Sequence, residues 1–137
     1  MCGIWNDEIG LRTLPPSPNC FELEETKGHV SKVEQLVKKN AGKSATEICK
    51  VIDGLTTEAS DTIQDVTDAS IRNIALIGAA QQVEHHEIAV YGTLRRWAQI
   101  LGLRDDARVL LSIEKEEGNA DQILTRISER VNVQAAA

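Results

Sequence analysis

All three prolines of the chain fall within residues 15–18, and residues 19–137 contain none. Proline removes a backbone donor and breaks helices, so this long stretch is free to be helical. The run Pro15-Pro16-Ser17-Pro18 predicts an extended stop before the first helix. A hydrophobic content of 42% is enough to build a core. We therefore predict an all-helical domain over residues 20–132, preceded by an irregular segment at 1–19 and followed by a frayed tail at 133–137.

Capping signals predict two helices in the first half of this domain. The first runs from about Cys20 to Lys39, with Asn19 as its N-cap and a stop at Asn40-Ala41-Gly42. The second is weaker. We expect it to begin at Ser44 or Thr46, to be interrupted at Gly54 and to end near residue 65.

Two long helices are predicted in the second half. Thr67-Asp68 caps the third helix, which runs from Ala69 to Leu101 and ends at Gly102. The fourth helix opens at Asp105-Asp106 and runs to about residue 131. Gly118 lies inside it, where glycine costs about 1 kcal/mol relative to alanine, so we expect a close packing point there.

Composition excludes several classes of function. The formal net charge of -6 disfavours a nucleic-acid surface, and an aromatic content of 3% disfavours a base-stacking platform. No apolar run reaches the roughly 18 residues of a membrane helix. The opening MCGIWNDEIG lacks the basic and apolar regions of a secretory signal. Cys2, Cys20 and Cys49 are odd in number and widely spaced, which predicts reduced thiols and a cytoplasmic location.

Carboxylates interrupt the apolar stripes of both long helices. Glu84 lies within one apolar stripe of the third helix. Glu87 lies within the stripe beside it, whose apolar members are Leu76, Ala80, Val83, Val90, Leu94, Trp97 and Leu101. Glu117 lies at the centre of the stripe on the fourth helix, whose apolar members are Leu110, Ile113, Ala120, Leu124, Ile127 and Val131. Asp121 follows Glu117 by one turn. A buried carboxylate needs a partner, and the basic residues fall elsewhere or at the helix ends, so a cation from outside is the natural compensator.

The first helix carries a further pair of candidate ligands. Glu25 and His29 are spaced i, i+4, which places both on one helix face, as a metal site in a bundle core requires. Carboxylates with an imidazole suit iron, manganese or zinc. Two alternatives stay open: Glu84 and Glu117 make core hydrogen bonds or occupy a wetted edge, and His29 is a satisfied core histidine. Four other acids, Glu22, Glu24, Glu114 and Glu116, are expected to form a solvated face.

Three segments resemble the bacterial YciE/YciF family of ferritin-like proteins. They are FELEETKGHV at 21–30, AAQQVEHHEIAVYGTL at 79–94 and ADQILT at 120–125. The resemblance covers about residues 21–131, and the middle segment is its most specific part. It implies a ferritin-like helical bundle that is dimeric, with a di-iron carboxylate site, ferroxidase-type activity and a stress-response role. It places the metal ligands at Glu25, His29, Glu84, Glu87, Glu117 and Asp121.

The start of the chain departs from that family pattern. Family members begin with a further long helix that carries a first ligand glutamate, and residues 1–20 show no counterpart. We therefore expect either a truncated member of the family or a homodimer in which each chain recruits a helix from its partner. The metal site is accordingly expected to be degenerate or shared between two copies. Its function is predicted as iron or manganese binding with oxidation of ferrous iron. The alternative is a non-catalytic helical oligomerisation or interaction protein.

Overall fold

The computed structural model describes residues 18–43 and 46–135, with side chains described over residues 24–43 and 46–133. These residues form four α-helices and contain no strand: α1 (Pro18–Ala41), α2 (Lys50–Asp65), α3 (Ala69–Ile100) and α4 (Arg104–Ala135). The predicted all-helical class is confirmed. The expected irregular segment at 1–19 lies almost wholly outside the described residues. The chain divides into two compact units, Met1–Thr46 and Glu47–Ala137.

The first unit contains α1. This helix begins at Pro18, a residue suited to the first helical turn because its missing N–H has no partner to lose there. Asn19 is therefore inside the helix and not its N-cap, which corrects the predicted start. The predicted stop is confirmed: Gly42 has a φ of 73°, and its N–H donates to the carbonyl of Lys38. Lys38 and Lys39 lie in the last turn, where positive charge is favoured.

The second unit begins with α2, which differs from its prediction. The helix starts at Lys50 with Cys49 as the N-cap, and not at Ser44 or Thr46. It runs through Gly54 to Asp65 as one helix, so the expected interruption at this glycine is wrong. None of its residues is fully buried. The side chain of Cys49 makes no capping hydrogen bond, so no capping signal in the sequence marks this start.

Helix α3 starts and ends where local sequence signals place it. The carboxylate of Asp68 accepts hydrogen bonds from the backbone N–H groups of Ser70 and Ile71, which satisfies two donors of the first turn. At the other end Gly102 has a φ of 74°, the left-handed conformation that glycine adopts without strain. A three-residue link, 101–103, then leads into α4.

The core of the second unit lies between α3 and α4, which pack along their lengths. Gln81 contacts Thr125 and Arg95 contacts Glu114, so residues early in α3 meet residues late in α4 and the pair is antiparallel. The buried apolar side chains are Leu76, Ile77, Ala98, Ala107, Leu110, Ile113 and Ala120. The predicted stripe of α4 is therefore confirmed as core-facing. Helix α2 packs against α3 on another side.

One predicted apolar stripe of α3 is only partly covered. Its C-terminal portion carries Val90, Trp97 and Leu101, which are 38%, 58% and 71% exposed. Helix α4 covers one face of α3, and this stripe turns away from that face towards the end of the helix. The sequence identified the apolar positions correctly but not which of them the fold buries.

Candidate metal centre

Three glutamates from the two long helices converge in the second unit. Glu84 and Glu87 are three residues apart on α3, which places them on one face, and Glu117 faces them from α4. One carboxylate oxygen of each lies within 4.8 Å of the other two. Three of the residues predicted as ligands are thus brought together, although they come from two helices and span more than thirty positions.

The apolar pattern of α4 explains why Glu117 points inward. It lies between Ile113, which is fully buried, and Ala120, and its own exposure is 6%. These residues are spaced four and three apart and therefore share a face. Glu84 and Glu87 are half-buried, and the Oε2 atom of Glu84 lies below the surface. The cluster consequently combines a rigid helical scaffold with a low exposure to water.

The charges of the cluster make a cation favourable there. Two ionised carboxylates within 4.8 Å repel one another by about 3 kcal/mol at an effective dielectric constant of about 20. That repulsion is relieved when a proton or a cation lies among the oxygens. Carboxylate oxygens are ligands for Mn²⁺ and Mg²⁺, and for iron in bundle-core sites. The donor set therefore fits a divalent metal ion.

Tyr91 lies beside the cluster and responds to its charge. Burial, together with the negative charges of Glu87 and Glu117, raises the pKa of the Tyr91 phenol from 10.0 to about 12. Desolvation is the largest cause, and the two carboxylates add to it because a phenolate next to them would be repelled. Tyr91 is thus a neutral hydroxyl group at ordinary pH. It can donate a hydrogen bond at the edge of the site.

Asp121 belongs to a different set of contacts. Its Oδ1 lies 3.2 Å from Nε2 of His85 and accepts a hydrogen bond from the Gln81 amide at 3.3 Å. The same amide donates to the Thr125 hydroxyl at 3.0 Å. These residues form a polar link between α3 and α4, one turn from Glu117. The predicted ligand role of Asp121 stays a prediction, since its described contacts are to this link.

Glu25 and His29 lie on α1, in the first unit. They are one turn apart on the same helix face, as the sequence predicts; Glu25 is half-buried and His29 is 4% exposed. The burial of His29 is consistent with either of the two roles considered for it, ligand or core histidine. Their place among the metal ligands stays a prediction.

The expectation of a solvated acidic face is wrong for two residues of α4. Glu114 is half-buried, and its Oε2 accepts a hydrogen bond from Nε of Arg95 at 2.6 Å. Glu116 is also half-buried and accepts a hydrogen bond from the hydroxyl of Ser112 at 2.7 Å. Glu24 is exposed and pairs with Lys27, as a solvated face requires. The contact of Glu114 with Arg95 of α3 depends on the packing of the two helices, which the spacing of residues along α4 does not show.

Two further features escaped the sequence reading. The close packing point expected at Gly118 is wrong, because no described atom lies within 4 Å of a Cβ built on that residue. Close packing occurs at Gly92 instead, where an added Cβ would lie 3.2 Å from Oε1 of Glu114. Asp106, in the first turn of α4, is 3% exposed. The clustered Asp105-Asp106 pair signalled a helix start, but no signal distinguished the buried aspartate from the exposed one.

No described helix combines the length and the apolar character needed to cross a membrane.

The fold and the cluster define an all-helical protein whose two longest helices present a carboxylate group. Residues 21–137 match the family described as a domain of unknown function, DUF892. The chain belongs to this family. It is 38% identical over 107 residues to protein YciF of Escherichia coli K12, a match that covers 77% of this chain and 64% of the relative.

Two solved structures show the same fold. The crystal structure of the Escherichia coli stress protein YciF superposes with a TM-score of 0.76 at 36% identity and covers 82% of this chain and 72% of that one. YcfI from Rhodopseudomonas palustris gives a TM-score of 0.73 at 38% identity, over 78% of this chain and 68% of the other. The chain thus spans just under two-thirds of the length of the curated relative it matches.

Proposed function

We propose that this chain is a ferritin-like metal-binding protein in which Glu84, Glu87 and Glu117 hold iron or manganese. The reaction proposed for it is the oxidation of ferrous iron, with dioxygen or a peroxide as the oxidant. One observation carries the proposal: the three glutamates each offer an oxygen atom within 4.8 Å of the others, and Glu117 is buried. Such a group of like charges in the interior is stabilised by a bound cation.

The roles of the chain's own residues follow from their positions. Glu117 supplies a ligand from the core of the α3–α4 pair, and Glu84 and Glu87 supply ligands from the facing helix. Tyr91 retains its proton, since its pKa is about 12, and it offers a hydrogen-bond donor at the edge of the site. A bound iron ion would supply the one-electron redox chemistry. Asp121 on α4 is proposed as a further ligand of this cluster, and the Glu25/His29 pair is proposed separately as a pair of metal ligands on α1.

The wider role is proposed from the relative. The Escherichia coli protein is described as a stress protein, and metal binding with removal of ferrous iron is a chemistry that suits such a role. A cytoplasmic location and a homodimer are also part of the proposal. The location rests on cysteine usage, and the dimer rests on the exposed apolar stripe at the end of α3.

Metal binding by matched variants tests the proposal. The metal-free 137-residue chain is titrated with Mn²⁺, and with Fe²⁺ under anaerobic conditions, in a calorimeter. Glu117→Gln removes a central ligand and should abolish stoichiometric binding, whereas Glu129→Gln removes an exposed charge from the same helix and should not. With Fe²⁺ and air, only the parent and Glu129→Gln should produce ferric absorbance faster than buffer. Equal binding by both variants, or none by the parent, would refute the site.

The alternative function is a non-catalytic oligomerisation or interaction protein. It is favoured by one observation, the exposure of Trp97, Ile100 and Leu101, which are 58%, 68% and 71% exposed at the end of α3. Large apolar side chains that cluster on a surface commonly mark an association site. If the parent binds no metal, and if Trp97→Gln converts a dimer into a monomer by light scattering, the alternative replaces the metal-binding function.

A further inference from the structure

Gln81 makes two hydrogen bonds from α3 to α4, one turn away from the carboxylate cluster. Its amide nitrogen, Nε2, donates to Oδ1 of Asp121 at 3.3 Å and to Oγ1 of Thr125 at 3.0 Å. Asp121 and Thr125 are four residues apart, so one side chain of α3 bonds two consecutive turns of the facing helix. A slide or a rotation of α4 would break at least one of these bonds. Gln81 therefore fixes both the register and the rotation of α4 at this point.

The hydrogen bonds around Thr125 fix the orientation of the Gln81 amide. The hydroxyl of Thr125 donates to the backbone carbonyl of Asp121 at 3.0 Å, so its oxygen is left to accept the bond from Gln81. An ionised carboxylate also accepts and cannot donate. Both partners on α4 are thus acceptors, and the NH₂ end of the amide has to face them. A flipped amide would present its oxygen to two acceptors, so the network has a single arrangement.

A second side chain of α3 contacts the same carboxylate. Nε2 of His85 lies 3.2 Å from Oδ1 of Asp121. The adjacent His86 projects from another side of α3, where its Nε2 lies 3.4 Å from Sγ of Cys49 at the start of α2. The network thus belongs to the side of α3 that faces α4, and within it Gln81 is the residue that bonds two turns of that helix.

The carboxylate cluster needs such a constraint when no cation is bound. Glu84, Glu87 and Glu117 place oxygen atoms within 4.8 Å of one another, and ionised carboxylates at this distance repel. A rotation or slide of α4 that carried Glu117 away would relieve the repulsion. Gln81 precedes Glu84 by one turn, and Asp121 follows Glu117 by one turn, so the network lies directly beside the carboxylates that repel.

We propose that Gln81 is the positioning residue of the carboxylate cluster. It holds α4 in the rotation at which Glu117 faces Glu84 and Glu87, so that a divalent cation finds its ligands already in place. Ligands that are held in advance lose less freedom on binding, and this raises the affinity for the cation. The gain in affinity rests on the proposed metal-binding function, whereas the position of Glu117 is a property of the metal-free protein.

The affinity is measured by titrating the metal-free 137-residue chain with Mn²⁺ in a calorimeter. Gln81→Met keeps the length of the side chain and removes the donor, and it should weaken binding about tenfold. Gln82→Met, the matched control, changes the exposed neighbour and should leave the Kd within about twofold of the parental value. Thr125→Val removes one of the two bonds at an exposed position. It should weaken binding about threefold, and it replaces Gln81→Met if that variant does not fold.

A double-variant cycle in the metal-free protein separates positioning from a general loss of stability. Glu117→Gln relieves the repulsion, so its effect on the melting temperature should be more favourable in the parent than in Gln81→Met, where the carboxylates are already free to move apart. If Gln81 contributes packing alone, the two effects add. Additive effects, or a parental Kd for Mn²⁺ in folded Gln81→Met, would overturn the positioning role. If the parent binds no Mn²⁺, the metal-binding function fails, and a non-additive cycle would still support the positioning of Glu117 by Gln81.

Discussion

Nε of Arg95 donates a hydrogen bond to Oε2 of Glu114 at 2.6 Å and so joins α3 to α4 near the end at which the two helices connect. Both side chains are partly shielded, at 29% and 22% exposure. The interaction with Glu114 raises the pKa of the Arg95 guanidinium above its ordinary value. A partly shielded charge pair between helices is held in place more firmly than one within a single exposed helix.

We predict that Glu114→Gln lowers the melting temperature by a few degrees and that Arg95→Met does the same. The double variant should lose less than the sum of the two, because each single change already removes the shared interaction. The control is Arg108→Met, which breaks an exposed pair with Asp105 on α4 and should have little effect. Additive losses would show that Arg95 and Glu114 are not coupled.

Gly92 is predicted to respond to substitution differently from other helical glycines. Gly54→Ala should raise the free energy of unfolding by about 0.5–1 kcal/mol, since alanine is the better helix former and no described atom is near the added Cβ. Gly92→Ala should gain less or lose stability, because its Cβ would lie 3.2 Å from Oε1 of Glu114, which Arg95 holds in place. Urea denaturation measures both changes.

A third variant separates the causes at Gly92. In a Glu114→Ala background the crowding atom is absent, so Gly92→Ala should recover the gain seen at Gly54. If Gly92→Ala still lowers the free energy of unfolding in the Glu114→Ala background, crowding by Glu114 is not the cause of the loss.

The raised pKa of the Tyr91 phenol predicts that the free energy of unfolding falls at high pH. Its pKa is raised from 10.0 in the unfolded chain to about 12 in the fold, so the folded state keeps the proton that the unfolded state releases. The contribution of Tyr91 to the free energy of unfolding is fully present below pH 10 and is lost as the pH rises towards 12. Melting temperatures of the parent should therefore fall more steeply over this range than those of Tyr91→Phe. If the melting temperatures of the parent and of Tyr91→Phe fall in parallel with pH, the pKa of Tyr91 is not raised in the fold.

The same tyrosine offers a probe of the cluster, because it is the single tyrosine of the chain. Glu87→Gln and Glu117→Gln should each lower the pKa of the Tyr91 phenol, seen as an earlier rise in phenolate absorbance. A bound divalent cation should shift the titration in the same direction, because it offsets both charges. The shift is partial in every case, since burial is the largest cause and remains. If the titration is unchanged in both variants, the two carboxylates are too far from Tyr91 to affect its pKa.

Local signals in the sequence were sufficient for most of the helices. The predicted third helix, 69–101, and the observed α3 differ by one residue at the C-terminal end, because Asp68 and Gly102 act on their immediate backbone neighbours. The same holds for the end of α1 at Gly42. Helix α2 was mispredicted at its start, since its N-cap residue, Cys49, makes no capping hydrogen bond and is not a residue that marks helix starts in a sequence. The apolar spacing of α4 also identified Glu117 as inward-facing before any packing was known.

The pairing of particular side chains was decided only by the tertiary structure. Spacing along one helix can show that Glu84 and Glu87 share a face, but it cannot show that Glu117 meets them while Asp121, one turn away, meets His85 and Gln81. It could not distinguish the adjacent His85 and His86, or the buried Asp106 from the exposed Asp105. Helical periodicity is a property of one element, whereas each of these contacts depends on the register and rotation of a second helix. The sequence by itself therefore determined that the described chain is helical and that Glu117 faces inward, and the packing of α2, α3 and α4 determined which groups can act together.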